Sequence, residues 1–154
     1  ALTLIGGGHP DYEAHLRRLA TERGVERLVP FHGRVPRDEV PHLLAECDVF
    51  LFTSIYEEPI ARTVMEAMAS GLAVIASPVG GQREMLEDGV NALTFPPGDA
   101  EALAERILKL RDAPALRERL AEAGRKTVLE RFTLDRMVDE MEEWLESILG
   151  GVDA

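Results

Sequence analysis

Glu58 and Glu66, with seven residues between them, lie in the segment of the sequence with the clearest capacity for chemistry. Carboxylates accept hydrogen bonds from hydroxyl groups, so such a pair can hold a ligand that carries hydroxyls at both ends. Eight residues of helix span roughly 12 Å, at 1.5 Å per residue. That exceeds the roughly 5–9.5 Å between the acid and base of a glycosidase. The spacing suits an extended ligand; by spacing alone, Glu58 can equally be a helix cap and Glu66 a solvated side chain.

The start of the helix that carries Glu66 offers a place for phosphate. Pro59 suits the first position of a helix, and Gly71 suits its end. The apolar residues between them form a stripe at helical spacing: Ala61, Val64, Met65 and Met68. The N–H groups of Ala61, Arg62 and Thr63 then have no carbonyl partner within the helix, and they lie at the positive end of its macrodipole. This arrangement predicts an anion site.

The elements that position these residues follow a β-α-β-α rhythm. Five apolar runs occur at residues 2–5, 28–31, 49–52, 73–76 and 92–95. The segments between them, residues 11–23, 37–46, 60–70 and 82–87, have apolar residues at three- and four-residue spacing. Continuous apolar strands are typical of a parallel sheet covered on both faces. The pattern therefore predicts an α/β fold with a doubly wound, Rossmann-like parallel sheet.

From Asp99 onward the pattern is helical only. Three helical stretches are expected at residues 99–111, 114–131 and 134–149, with Asp99 and Thr133 as good N-cap residues. We therefore predict a Rossmann-like core over residues 1–98 and C-terminal helices of the same domain over residues 99–149. Residues 150–154 are expected to form a frayed tail.

Composition excludes several classes of function. The formal net charge of -11 argues against nucleic acid, because phosphate backbones require clustered Lys and Arg. No apolar run approaches the roughly 20 residues of a membrane span. With Cys47 as the single cysteine, the chain cannot form an internal disulfide, which favours a cytoplasmic location. The sequence has no Asp-x-Asp pair near a predicted strand end and no cluster of His or Cys residues that could bind a metal ion. We therefore predict that ligand binding does not require a metal.

Longer motifs in the sequence resemble the signature of retaining glycosyltransferases of the B-type fold, closest to family 4. The Glu58–Glu66 spacing is followed by the stretches that the family shows next, at residues 67–76 and 80–84. Further matches occur in the family's order at residues 4–8, 31–35, 91–99 and 131–133. The resemblance covers nearly the whole chain.

The resemblance implies a role for each site residue. Glu66 is expected to bind the ribose hydroxyls of a nucleotide, and Glu58, the expected catalytic residue, to contact hydroxyls of the transferred sugar. The main-chain amides expected to meet the distal phosphate are those of Ala61, Arg62 and Thr63. The main chain expected to meet the nucleobase is that of Gly33, Arg34 and Val35. The implied donor is a UDP-, GDP- or ADP-hexose, with retention of configuration and without a cofactor or metal.

The chain departs from the family pattern in two respects. Ile60 and Ala61 stand where the family commonly has Phe-Gly. The family also places an Arg and a Lys that clamp the diphosphate after an earlier strand, and the chain is expected to begin after that strand. An N-terminal acceptor domain, the only expected route to membrane association, is likewise expected upstream. Two alternatives stay open: a non-catalytic nucleotide-sugar-binding module, and a sugar-nucleotide epimerase of the same fold.

Overall fold

The structure, a computed structural model, describes residues 1–149; the predicted tail at residues 150–154 lies outside them. The chain divides into two compact units, of which the first is Ala1–Leu43 and the second begins at Leu44. The predicted division into residues 1–98 and 99–149 is not tested by this packing and stays a prediction.

The first unit is built on two short parallel strands. Strand β1 (Leu4–Ile5) is followed by helix α1 (Pro10–Glu22), a 3-10 turn (Glu26–Leu28) and strand β2 (Phe31–Gly33). Helix α2 (Val40–Ala45) leads into the second unit. Strands β1 and β2 pair in parallel, with Leu4 opposite Phe31.

The second strand was expected at residues 28–31, and the structure places it later, at Phe31–Gly33. Leu28 belongs to the 3-10 turn, and the ladder begins only at Phe31. Pro30 explains the delay, because proline has no N–H to donate to a strand partner. Its carbonyl still accepts a hydrogen bond from the N–H of Leu4, at 3.0 Å. The backbone therefore approaches β1 along this stretch before it becomes a strand.

The second unit contains a three-stranded parallel sheet. Strand β3 (Val49–Phe52), helix α3 (Arg62–Ala69), strand β4 (Ala73–Ala76), helix α4 (Gln82–Met85) and strand β5 (Leu93–Thr94) follow one another along the chain. Strand β4 lies between β3 and β5, with Val49 opposite Ala73 and Ile75 opposite Leu93. Strands β3 and β4 have the bounds predicted from the sequence.

Strand β4 is covered on both faces, as its apolar character predicted. All four of its residues have no exposed surface. Val74 and Ala76 belong to a core cluster with Val64, Ala67 and Met68 of α3. Ala73 and Ile75 belong to a second cluster, with Leu93, Phe95, Leu110 and Leu120. The sheet therefore has helices on both sides, and the predicted α/β class is confirmed.

The chain ends in three consecutive helices, as predicted. They are α5 (Ala100–Asp112), α6 (Pro114–Arg131) and α7 (Leu134–Leu149). Asp99 caps α5 by accepting a hydrogen bond from the N–H of Ala102 at 2.9 Å, and Thr133 Oγ1 accepts one from the N–H of Arg136 at 3.3 Å. Both proposed N-caps are confirmed. Helix α7 buries none of its residues, and none of the helices over residues 1–149 is long and apolar enough to cross a bilayer.

Each sheet has an open edge. Among the described residues, β1 pairs with β2 alone, and β3 pairs with β4 alone. Unpaired strand edges leave backbone N–H and C=O groups without ladder partners. The expectation that the chain begins after an earlier strand of the family pattern stays a prediction.

Candidate functional site

Two loops follow the carboxyl ends of β3 and β4, which meet at one edge of the sheet because the strands are parallel. Ser77, directly after β4, is fully buried. Its N–H donates to the carbonyl of Phe52 at 2.9 Å, and its hydroxyl donates to the carbonyl of Ser54 at 2.6 Å. Ser77 therefore fastens the end of β3 to the end of β4. Local sequence gave no signal for this role, because the two partners of Ser77 lie 25 and 23 positions away.

The loop before α3 and the turn before α4 touch main chain to main chain at two glycines. The N–H of Gly81 donates to the carbonyl of Glu58 at 2.9 Å. Gly80 has a φ of +53°, and a Cβ built on it would lie 1.9 Å from the carbonyl oxygen of Glu58. A Cβ on Gly81 would lie 2.8 Å from the nitrogen of Ile60. Only glycine fits at these two positions. Because they have no side chains, the main chain at Glu58 can lie directly against the turn before α4.

Glu58 is half-buried and held at its side chain as well as its main chain. Its Oε1 accepts a hydrogen bond from the hydroxyl of Ser54 at 2.6 Å. A carboxylate has about four acceptor positions on its two oxygens, so Glu58 retains capacity for the hydroxyls of a ligand. The predicted catalytic residue is therefore fixed in place while it remains able to accept hydrogen bonds.

Glu57, which the sequence analysis left out, links the same two loops. Its carboxylate accepts hydrogen bonds from Nη1 of Arg83 at 3.1 Å, from Nη2 of Arg83 at 2.7 Å and from the N–H of Gly80 at 2.5 Å. The hydrogen bonds from Arg83, and then that from Gly80, lower the pKa of Glu57. A lowered pKa means that this contact is complete at neutral pH and is lost only as the pH falls through the lowered value.

Helix α3 begins three residues later than predicted. Pro59 is not its first residue: Ala61 is the N-cap, in extended backbone, and Arg62 is the first helical residue. The reason is tertiary, because the carbonyl of Glu58 bonds to Gly81 instead of to an amide of α3. The shift leaves the predicted phosphate-binding amides at the helix start. No described residue accepts a hydrogen bond from the N–H groups of Ala61, Arg62 or Thr63.

Glu66 lies in the middle of α3 and is half-buried. The fully buried residues of this helix are Val64, Ala67 and Met68, so the predicted stripe gains Ala67, while Ala61 and Met65 are only half-buried. The helix ends as Gly71 predicted, in a Schellman motif. The N–H of Gly71 donates to Met68 at 2.9 Å, and the N–H of Leu72 donates to Ala67 at 3.1 Å.

Gly33, Arg34 and Val35 belong to the first unit. Gly33 ends β2 with a φ of +67°, and its carbonyl accepts a hydrogen bond from the N–H of Gly6 at 2.7 Å. A cleft of about 270 Å³ opens beside Gly33 and is also lined by the Gly6, Gly7 and Gly8 turn. Arg34 is exposed, with its side chain lying over Gly7. The nucleobase contact expected of these residues stays a prediction.

The described residues include no group of three or more His, Cys, Asp or Glu side chains placed to hold a metal ion. The expectation of metal-independent binding concerns a ligand complex, and it stays a prediction that a chelator can test.

Comparison with known proteins decides the family. The family model described as Glycosyl transferases group 1 matches residues 1–127. This chain is a group 1 glycosyltransferase sequence. The glycosyltransferase family that the longer motifs of the sequence resemble is thereby confirmed.

Individual relatives of this group 1 chain include enzymes of known structure. The lipopolysaccharide core biosynthesis glycosyltransferase LpsE of Rhizobium meliloti is 34% identical over 146 residues, which are 95% of this chain and 42% of LpsE. HepE of Anabaena, in complex with UDP-glucose, is 31% identical with a TM-score of 0.86, over 94% of this chain and 40% of that one. The C-terminal domain of the group 1 protein LpcC of Francisella tularensis is 25% identical with a TM-score of 0.79, over 86% of this chain and 69% of that domain.

The group 1 chain spans about two fifths of the length of the curated relatives it matches, 42% of LpsE and 37% of AmsK of Erwinia amylovora. The similarity to HepE has the same extent, at 40% of that chain.

Proposed function

We propose that this chain is the donor-binding domain of a glycosyltransferase that moves a hexosyl group from a nucleotide sugar to an acceptor, with retention of configuration. The observation that carries the proposal is the carboxylate of Glu58, fixed by two loops, just before the free amides at the start of α3. Glu66 lies further along the same helix. This order suits a sugar, a diphosphate and a ribose in succession.

Each group has a distinct role in the proposal. Glu58 accepts hydrogen bonds from hydroxyls of the transferred sugar, and Glu66 accepts them from the ribose. The amides of Ala61, Arg62 and Thr63 bind the distal phosphate at the positive end of the α3 macrodipole. When the glycosidic bond to the phosphate breaks, negative charge develops on the leaving diphosphate. Fixed N–H donors stabilise that charge without having to reorganise, which lowers the barrier.

The proposal also includes the nucleobase site, the partners and the location. The main chain of Gly33, Arg34 and Val35 binds the base. Transfer needs an N-terminal acceptor domain as a partner, and it takes place in the cytoplasm. The names of relatives support a nucleotide-sugar donor: HepE binds UDP-glucose, and a Corynebacterium glutamicum mannosyltransferase, 30% identical, is named as GDP-mannose-dependent.

Calorimetric titration of the chain with UDP-glucose, GDP-mannose and ADP-glucose tests the proposal. We expect one of the three to bind, and a protein extended upstream to transfer its sugar to an acceptor. Binding without transfer in the extended protein would favour the non-catalytic module, and interconversion of sugar epimers would favour the epimerase. A chain that binds none of the three ligands would overturn the donor site.

Replacing Glu58 with alanine is expected to weaken binding of the nucleotide sugar more than binding of the matching nucleoside diphosphate. Glu58 lies on the sugar side of the phosphate-binding amides, so the nucleoside diphosphate makes no contact with it. Loss of a hydrogen bond to a charged group corresponds to about 1.5–3 kcal/mol. Calorimetry with both ligands measures the difference, with Glu105→Ala on an exposed face of α5 as the control. Equal losses for the two ligands would contradict the sugar role.

Chelation is expected to leave nucleotide-sugar affinity unchanged. The proposed phosphate site uses N–H donors and a helix dipole, which bind an anion without a bridging cation. Titrations in buffer with EDTA and in buffer with added Mg²⁺ provide the measurement. A drop of tenfold or more in affinity on chelation would show that a metal ion takes part.

A further inference from the structure

We propose that Glu57 and Arg83 are positioning residues that hold the sugar-contacting carboxylate of Glu58 in place, an inference that rests on the proposed function. Neither residue contacts the ligand in this proposal. They act through the loop of residues 53–60, which carries Glu58.

The contact of Glu57 with Arg83 and Gly80 has a well-defined geometry. Three donors from the turn before α4 converge on the Glu57 carboxylate: the two Nη atoms of Arg83, at 2.7 and 3.1 Å, and the N–H of Gly80, at 2.5 Å. A two-pronged guanidinium–carboxylate pair fixes both the distance and the orientation of its partners. The contact joins residues 26 positions apart in the sequence. It ties the tip of one loop to the turn beneath it.

The tip of this loop has little apolar burial to hold it in place. Ile55 and Tyr56, which precede Glu57, have 58% and 74% of their surface exposed. A tip with so little apolar burial is not ordered by packing. Exposed ion pairs in general contribute little to stability. This pair is two-pronged and shares its carboxylate with a main-chain N–H, so we assign it the ordering of the tip rather than stability of the whole unit.

The carboxylates proposed to contact the sugar and the ribose are held in different ways. Glu58 directly follows Glu57, so a change in the tip reaches its carboxylate through one peptide unit. Glu66 is held differently, on a helix whose Val64, Ala67 and Met68 are fully buried in the core. A less ordered tip therefore displaces the carboxylate of Glu58, which contacts the sugar, while the carboxylate of Glu66, which contacts the ribose, stays in place. If the pair only stabilised the fold, its loss would instead lower the affinities for the nucleotide sugar and the nucleoside diphosphate together.

The test compares the binding of two kinds of ligand, a nucleotide sugar and its nucleoside diphosphate, to three variants. Glu57→Gln and Arg83→Gln are each expected to lower the affinity for the nucleotide sugar about tenfold, the order of effect when a group that orients a binding residue is removed. Affinity for the matching nucleoside diphosphate is expected to change less than about twofold, within ordinary additivity error. Arg83→Lys keeps the charge but not the two-pronged contact, and it should give an intermediate loss. The ligands are UDP-glucose, GDP-mannose and ADP-glucose with UDP, GDP and ADP.

The control is a matched pair elsewhere in the same unit. Arg111 and Asp112 form an exposed two-pronged contact at 2.7 and 2.9 Å, and the hydrogen bond from Arg111 lowers the pKa of Asp112. Asp112→Asn should therefore leave both affinities unchanged. Thermal melting of every variant shows that the fold is intact.

A second measurement does not depend on the ligand. The N–H of Gly80 donates to a carboxylate, so its proton resonance is expected to lie downfield and to move upfield in Glu57→Gln, while Asp112→Asn leaves it in place. An unmoved resonance, or equal losses for nucleotide sugar and nucleoside diphosphate, overturns the positioning role and leaves the proposed function standing. Failure of the unaltered chain to bind any of the three nucleotide sugars overturns both.

Discussion

Replacing Gly80 with alanine is expected to destabilise the second unit by about 2–5 kcal/mol. Two costs add: a left-handed backbone disfavours an L-residue by about 1–2 kcal/mol, and forcing an extra carbon into a filled space costs about 1–3 kcal/mol. The new Cβ would lie 1.9 Å from the carbonyl oxygen of Glu58 and 2.6 Å from its nitrogen, which are main-chain atoms and cannot rotate away. The loop of residues 53–60 must shift to admit it.

Denaturant unfolding measures this loss, and Gly98→Ala separates its two parts. Gly98 also has a positive φ, of +80°, but nothing lies within 4 Å of a Cβ built there. That control should therefore lose only the backbone component, about 1–2 kcal/mol. If the two variants proved equally stable, the close approach of Gly80 to Glu58 would carry no energetic weight.

Replacing Glu66 with alanine is expected to weaken nucleoside diphosphate binding by about 1–3 kcal/mol, or about 5- to 150-fold. The proposal assigns this carboxylate to the ribose, and charge-assisted hydrogen bonds are stronger than neutral ones. The helix itself should tolerate the change, because alanine has the highest helix propensity and the buried side chains of α3 are untouched. The loss should be shared by the nucleotide sugar, unlike that of Glu58→Ala.

Calorimetry with the nucleoside diphosphate is the measurement, with Glu101→Ala in the first turn of α5 as a control for a lost surface charge. Circular dichroism checks that α3 persists. An unchanged affinity in a correctly folded Glu66→Ala protein would remove Glu66 from the ribose site.

The parts of the fold that were predictable from sequence are those decided by local pattern. Strand β4 is apolar at every position because both of its faces are buried, and its bounds were predicted correctly. Asp99 and Thr133 cap helices through bonds to residues three positions away. Pro30 was a local signal too: its missing N–H could have moved the second strand to Phe31.

The start of α3 was not predictable in this way, because a contact far along the chain determines it. Pro59 suits a first helical position, but the Glu58 carbonyl beside it bonds to Gly81, 23 residues away in sequence. The same limit applies to the neighbouring glutamates. Local pattern identified Glu58 through its spacing to Glu66, whereas the partner of Glu57 is Arg83, and nothing in the spacing of those two residues indicates a pair. The ligand-binding roles of Glu58 and Glu66 stay predictions.

The complete burial of β4 has a consequence for the timescale on which the site can move. Its amides lie between two parallel neighbours and beneath helices on both faces, so we expect solvent deuterium to reach them only when the unit unfolds as a whole. Ser77 and the Gly80–Gly81 turn follow this strand closely in the chain. We therefore expect the main chain that supports Glu58 to open last in the unit, and the exposed residues Ile55 and Tyr56 to fluctuate faster.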